Sequence, residues 1–294
     1  MIGDVTAVVT LDKSAVFDMV NRDIFLEKFS VVNWVHSYLM VRKQKVYIDG
    51  CLSEELGIQT GVPQGSILGP LFYIIYTSDL PQSIYTDNIV QSDNNQNIKE
   101  NGTITCFADD STYSVSDNNP ETITNKINTK YQEISRYMQN NLLVLNSDKT
   151  HLVVMASAHK HRKYDSFGIE LNTGNEIIQP AESEILLGAT LSNNFQWNQH
   201  VQDGEKSMMK SLNKRNTALG RISNITNFKT RKMIGNGLIM STLAYIIPVY
   251  GSCSEYLLNS LQVQQNIACR HITKLPLMTP TKTLLTQCGW LSVI

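Results

Sequence analysis

Apolar and polar residues follow several distinct rhythms along the chain, and the changes of rhythm mark its elements. Ala7-Val8-Val9-Thr10-Leu11 is a short, uniformly apolar, β-rich run, which predicts a strand covered on both faces, with Asp12 directly behind it. Ser14 is placed to cap a helix through Asn21 or beyond, with Ala15, Phe17, Met19 and Val20 among its early residues. Residues 34–38 read as a short amphipathic helix, and residues 46–50 as a strand with a turn. Residues 103–115 hold two runs rich in β-branched and aromatic side chains around Asp109-Asp110, the pattern of a β-hairpin with the acids at its turn. In residues 120–143, Ile123, Ile127, Tyr131, Ile134 and Met138 recur at helical spacing, with Glu121 near the favourable end of the helix dipole. Residues 146–150 read as a turn into a strand at 151–155, residues 169–171 and 176–178 as a second hairpin, and residues 184–191 as a strand. From about Asn198 onward the spacing is helical, and Pro276 and Pro280 interrupt it.

Four places carry candidate chemistry. Asp109 and Asp110 each disfavour ionisation of the other, so their adjacency is costly. An Asp-Asp turn is nevertheless common at a solvent-exposed hairpin tip. Asp12 sits at a strand-to-helix corner, where an acid either caps a turn or points into a cleft. Residues 61–70, Gly-Val-Pro-Gln-Gly-Ser-Ile-Leu-Gly-Pro, form a loop whose backbone can approach a ligand closely. A helix through Leu71, Phe72, Ile74, Ile75 and Leu80 starts just after it, and a helix N-terminus offers free N–H groups to anions. The spacing is not that of a P-loop. Lys149 is either a ligand for acid or phosphate, or an exposed turn residue. Arg42, Lys43 and Lys45 form a basic cluster suited to phosphate or simply to solvent.

Composition bears on this in two ways. The 294 residues suffice for about two domains, and 42% hydrophobic content is that of a soluble globular protein. We place the boundary near Asn194, giving segments 1–194 and 195–294. A formal net charge of −1 counts against nucleic-acid binding. The cations Lys206, Lys210, Lys214, Arg215, Arg221, Lys229, Arg231 and Lys232 partly answer that objection, because they concentrate on the C-terminal helices. Residues 82–102 are polar and read as a surface loop. The five cysteines form no C-x-x-C pair, so neither a disulfide framework nor a zinc module is predicted. Neither a signal peptide nor a membrane span is expected, and the predicted location is intracellular, nuclear or cytoplasmic.

Taken in order, these segments resemble the reverse transcriptase of non-long-terminal-repeat, jockey-like retrotransposons. Leu11-Asp12-Lys13-Ser14-Ala15-Val16-Phe17-Asp18 is similar to the family's first catalytic motif, and Gly61 through Pro70, Tyr76 and Asp79-Leu80-Pro81 to its second. Phe107-Ala108-Asp109-Asp110 resembles its Tyr/Phe-Ala-Asp-Asp box, residues 146–150 its lysine-bearing motif, and Leu186-Leu187-Gly188 the start of its primer-grip hairpin. Residues 261–270 and 284–291 resemble its downstream helical region. Lys13 stands where the family usually has an apolar residue.

The resemblance implies an α+β fold: an antiparallel polymerase palm sheet flanked by helices, then a small helical thumb. It also implies that the chain starts almost at the first motif, with the fingers largely missing. The implied activity is RNA-directed DNA synthesis, with two Mg²⁺ ions held by Asp12, Asp109 and Asp110. Lys149 would protonate the departing pyrophosphate. Phe17 would lie beneath the incoming sugar, and Gln64 with Gly65 beside the nucleotide. The implied partners are an RNA template, a DNA primer and deoxynucleoside triphosphates. The alternative is a catalytically dead remnant that only binds nucleic acid.

Overall fold

Period-two alternation organises the first strand, β1 (Val5–Lys13). Val5, Ala7, Val9, Leu11 and Lys13 are buried, while Thr6, Val8, Thr10 and Asp12 are half-buried. The expectation of a strand covered on both faces is therefore corrected: one face meets the core and the other stays partly open. The computed structural model describes residues 5–13, 16–28, 33–40, 42–63, 65–82, 102–157, 160 and 168–293. Within it the chain divides into two compact units, Met1–Glu182 and Ser183–Ile294.

In the first unit β1 leads to α1 (Val16–Met19), α2 (Arg22–Lys28) and α3 (Asn33–Leu39). A single helix through Asn21 was expected, but the Asn21 side chain accepts from the Ile24 N–H at 3.0 Å and caps a new helix instead. Ser14 and Ala15 lie outside the described residues. An exposed arm follows, in which β2 (Lys43–Gln44) pairs with β5 (Leu56–Gly57) and β3 (Tyr47–Ile48) with β4 (Cys51–Leu52). Then come α4 (Gly69–Tyr76), β6 (Gly102–Phe107), β7 (Asp110–Asp117), α5 (Pro120–Asn140), β8 (Leu145–Met155) and the small pair β9 (Leu171–Asn172) and β10 (Ile177–Ile178). Most of the polar stretch at 82–102 lies outside the described residues.

The main sheet has the order β6-β7-β1-β8, and every neighbouring pair is antiparallel. Helix α5 packs on its buried face. Ile123, Ile127, Tyr131, Ile134 and Met138 are all buried, as their spacing predicted, and the Asn119 side chain caps the helix by accepting from the Glu121 N–H. The Tyr113 hydroxyl donates to the Ile127 carbonyl at 3.0 Å, tying β7 to that helix. Residues 146–150 are not a turn before a strand but part of β8 itself. Asp12 opposes Asn146 and Thr10 opposes His151, so residues 147–150 bulge from the ladder. The Thr150 hydroxyl donates to the Asn146 carbonyl across the bulge at 2.8 Å.

The second unit opens with β11 (Ser183–Leu186) and β12 (Ala189–Ser192), a hairpin where the apolar pattern predicted one strand and the family resemblance a hairpin starting at Leu186. Its turn needs two left-handed residues in succession, Leu187 at φ 48° and Gly188 at φ 80°. The Tyr245 hydroxyl donates to the Leu187 carbonyl at 2.6 Å, which holds the turn from within the same unit. The compact division thus falls ahead of this hairpin, whereas the boundary expected from sequence lay after it, near Asn194. A π-helical turn (Gln199–Asp203), α6 (Met208–Ile222), α7 (Phe228–Gly235), a second π-helical segment (Asn236–Met240), α8 (Ser241–Ala244), α9 (Ile247–Tyr250), α10 (Glu255–Thr273) and α11 (Thr281–Cys288) complete it. Leu212, Leu219, Leu257, Leu261, Ala268, Ile272 and Leu284 form its core. The fold class is the expected one, α+β with an antiparallel sheet flanked by helices. Among the described residues, no helix is long and apolar enough to cross a membrane.

A charged knot binds three helical segments of the first unit. Lys28 Nζ lies 2.9 Å from Asp79 Oδ1 and 2.9 Å from the Tyr76 carbonyl, and within 5.2 Å of the centroids of the Tyr76 and Tyr137 rings. The Tyr137 hydroxyl donates to the same Asp79 oxygen. Burial works to raise the Asp79 carboxyl, but Tyr137 and Lys28 outweigh it and hold it below its ordinary 3.8. A carboxyl depressed in the folded state stabilises above its unfolded value and loses that contribution as pH falls through its folded value. Asp79→Asn should therefore lower stability at neutral pH, and the difference from wild type should shrink as pH drops below 3.8. Urea unfolding across that range measures both; a pH-independent difference would contradict the assignment.

Candidate functional site

The strand register brings the acids together. Leu11 pairs with Ser111 across β1 and β7, and both side chains are buried. Asp12 follows Leu11 and Asp110 precedes Ser111, so both project from the opposite, open face at the same end of the sheet. Asp109 stands in the two-residue turn between Phe107 and Asp110, beside Ala108 at φ 53°. A left-handed alanine costs about 1–2 kcal/mol, strain held here by the flanking ladder. Partial burial, then the charges of Asp109 and Asp12, raise the Asp110 carboxyl, with Lys13 opposing them. Lys149, exposed on the β8 bulge, lies with its Nζ 3.3 Å from Asp12 Oδ2. Sequence reasoning predicted all four of these residues, and the structure brings them to one sheet end.

The core side of the same end holds groups that sequence reasoning did not assign. Lys13 is only 6% exposed, and its Nζ donates to Ser111 Oγ at 2.8 Å and to the Tyr73 hydroxyl at 3.1 Å. Burial lowers the Lys13 ammonium, against the charges of Cys106, Asp109, Asp110 and Asp12. Burial likewise pushes the Tyr73 hydroxyl well up. The Phe17 ring packs against Tyr73 with centroids 5.7 Å apart, so it joins the site through that tyrosine.

The glycine-rich loop is knitted onto α1. The Val62 N–H donates to the Phe17 carbonyl and the Gly61 N–H to the Val20 carbonyl, both at 2.8 Å. A Cβ on Gly61 would lie 2.9 Å from Asp18 Cα and from the Phe17 carbonyl oxygen, and its φ is +81°. The buried Arg22 guanidinium donates to the carbonyls of Ile58, Thr60 and Gly61 at 2.7, 3.3 and 3.2 Å. Only its buried position marks Arg22 as the loop's organiser, and no motif signals it. Ser66 Oγ bridges the Pro63 carbonyl (2.7 Å) and the Gly69 N–H (2.9 Å), leading the loop into α4. Gly65 is exposed at φ +79° with open space around it. Gln64 lies outside the described residues.

The donor set is carboxylate oxygen, the hard-ligand chemistry that Mg²⁺ prefers. A cation beside Asp110 would offset the burial and the neighbouring charges that raise its carboxyl. Among the described residues, however, no three His, Cys, Asp or Glu side chains gather as a metal-binding group. The fit is thus one of donor chemistry and charge, not of a finished cage.

The basic helices of the second unit are less uniform than their sequence suggested. Arg215 donates to the Leu238 carbonyl and Thr242, and Arg231 to the carbonyls of Ile272, Ser223 and Thr226. Those two guanidiniums serve the fold. Lys210, Lys214 and Arg221 are exposed at helical spacing on one side of α6.

The acid turn, the tethered loop and the antiparallel sheet are now placed, and comparison with known proteins gives the family. The model of the reverse transcriptase (RNA-dependent DNA polymerase) family matches residues 2–186, and the chain belongs to that family. It is 23% identical over 256 residues to the RNA-directed DNA polymerase from mobile element jockey of Drosophila melanogaster, covering 85% of this chain and 26% of that protein. It is 24% identical over 282 residues to the probable RNA-directed DNA polymerase from transposon BS of the same species, covering 94% of this chain and 30% of that protein. The chain thus spans less than a third of these relatives' length. A structure of telomerase from Candida Tropicalis with a TWJ fragment of telomeric RNA matches at a TM-score of 0.46 and 12% identity, covering 98% of this chain and 49% of that one.

Gly61→Ala tests the loop's seating on α1. The left-handed φ alone should cost about 1–2 kcal/mol, and the close backbone approach should add to it. A lowered melting temperature with faster proteolysis within residues 58–69 is expected; unchanged values would mean that the loop is not held there.

Proposed function

We propose that the chain is the polymerase portion of a retrotransposon reverse transcriptase, extending a DNA primer on an RNA template with deoxynucleoside triphosphates. The observation that carries this reading is the convergence of Asp12 and Asp110 on one open face, with Asp109 in the adjoining turn, in a member of the reverse transcriptase family. In it residues 1–194 act as palm with partial fingers, with the hairpin at residues 183–192 as primer grip, and residues 195–294 act as thumb.

Asp12, Asp109 and Asp110 are the residues to hold two Mg²⁺ ions, which when bound would supply charge stabilisation to the attacking and leaving oxygens. Phe17, braced by Tyr73, lies beneath the incoming sugar and excludes a 2′-hydroxyl by its bulk. Gln64 and Gly65 border the nucleotide, Gly65 through a backbone that carries no side chain to obstruct it. Lys149 Nζ, released from Asp12, gives a proton to the departing pyrophosphate. The exposed row of Lys210, Lys214 and Arg221 binds phosphate backbone.

The second reading is a remnant that binds nucleic acid without catalysis. The pairing of Lys149 with Asp12, which places a side-chain cation on the open face, favours it. Primer extension on an RNA template with Mg²⁺ separates the two, with Asp109→Ala/Asp110→Ala as control. Extension abolished in the double variant supports the polymerase. Template–primer retained without any extension supports the remnant.

For the backbone contacts, the triple variant Lys210→Ala/Lys214→Ala/Arg221→Ala should flatten the plot of log affinity against log salt by roughly two to three units. Filter binding across a salt series measures the slope, and an unchanged slope would remove α6 from the interface.

A further inference from the structure

Every core-facing position of β1 before Lys13 is apolar: Val5, Ala7, Val9 and Leu11. Lys13 places an ammonium in that row, at the end of the sheet where the acids gather. Two neutral oxygens hold it, Ser111 Oγ at 2.8 Å and the Tyr73 hydroxyl at 3.1 Å, and Tyr73 also lies 5.5 Å from it at the ring centroid. Ser111 and Tyr73 are themselves buried at 1% exposure. A buried ammonium held only by neutral acceptors is costly, and it is sustained by nearby anions. Lys13 follows Asp12 directly on β1, and its acceptor Ser111 follows Asp110 directly on β7, so the ammonium stands immediately behind the two acids on the other side of the sheet. The attraction between them is reciprocal, so the cation that the acids sustain also relieves their mutual repulsion.

We propose that Lys13 is a built-in counter-cation for the acid turn, a positioning residue that holds the carboxylates together in the ion-free protein and weakens their affinity for divalent cations. The inference rests on the reading of Asp12, Asp109 and Asp110 as a divalent-ion site. Lys149 cannot fill the same role, since its exposed Nζ reaches Asp12 from the open face where an ion would enter. Lys13 acts from the opposite face and stays there when an ion binds. An incoming divalent ion then meets carboxylates already partly neutralised, and like-charge repulsion from a fixed cation behind them.

The test is titration of Mn²⁺ into the full chain without nucleotide or template, followed by calorimetry. Lys13→Met should bind Mn²⁺ about tenfold more tightly than wild type, whereas a merely structural lysine would leave affinity unchanged or weaker when lost. Lys13→Arg keeps the charge and should stay near wild type. Equal or weaker binding by Lys13→Met, or equal tightening in Lys13→Arg, overturns the proposal. Should Lys13→Met fail to fold, Lys13→Gln keeps a donor for Ser111 and Tyr73 without the charge and should tighten Mn²⁺ binding in the same way, and unchanged or weaker binding would overturn the idea. Asp109→Ala/Asp110→Ala separates the two levels of the argument. If it binds Mn²⁺ like wild type, the acids are not the ion site and both readings fall. If it loses Mn²⁺ while Lys13→Met gains nothing, only the role of Lys13 falls.

Discussion

Consecutive residues of a β-strand must point to opposite faces, and the site depends on that constraint at one step of β1. Leu11 enters the core and Asp12 therefore emerges on the open side. The antiparallel partner repeats the move in reverse, with Ser111 inside and Asp110 outside. Burial of Val5, Ala7, Val9 and Leu11 under α5 thus sets the positions of the carboxylates as well as the stability of the sheet. A one-residue slip of register would bury the acids and expose the core face, an outcome that the apolar face strongly disfavours.

Bringing Asp12 and Asp110 to one open face beside Asp109 raises the Asp110 carboxyl, and a lysine stands on each face of that sheet end. Lys149 reaches Asp12 on the open side from a bulge that interrupts β8. Lys13 stands on the core side between Ser111 and Tyr73. The turn adds a local strain of its own, an alanine held at left-handed φ beside Asp109 so that the chain can reverse between Phe107 and Asp110. Repulsion and strain at one place, each maintained by a well-packed surrounding, are the signature of a site whose geometry serves something other than stability.

The glycine-rich loop shows a different economy of form. Its order comes from backbone hydrogen bonds to α1 and from Arg22, which takes up three carbonyls at its base. Gly61 is required by the closeness of that contact, whereas Gly65 faces open space. In the second unit, too, cations divide between structure and surface. Arg215 and Arg231 close internal carbonyls, while Lys210, Lys214 and Arg221 remain outside.

Much of this was readable along the chain. The period of Ile123, Ile127, Tyr131, Ile134 and Met138 specified α5 and its buried face, and the β-rich runs around Asp109-Asp110 specified the acid hairpin. The order of motifs from Asp12 to Gly188 pointed to the family. These signals are local, because periodicity, capping and turn chemistry depend on residues adjacent in sequence. Tertiary structure alone decided which face of β1 is open, where β8 bulges, and that Arg22, Arg215 and Lys13 are taken up inside. The partners of those three cations lie 23 to 98 residues away. Whether a cation faces solvent, a carbonyl or a carboxylate is settled by such distant neighbours, whose approach the local pattern does not record.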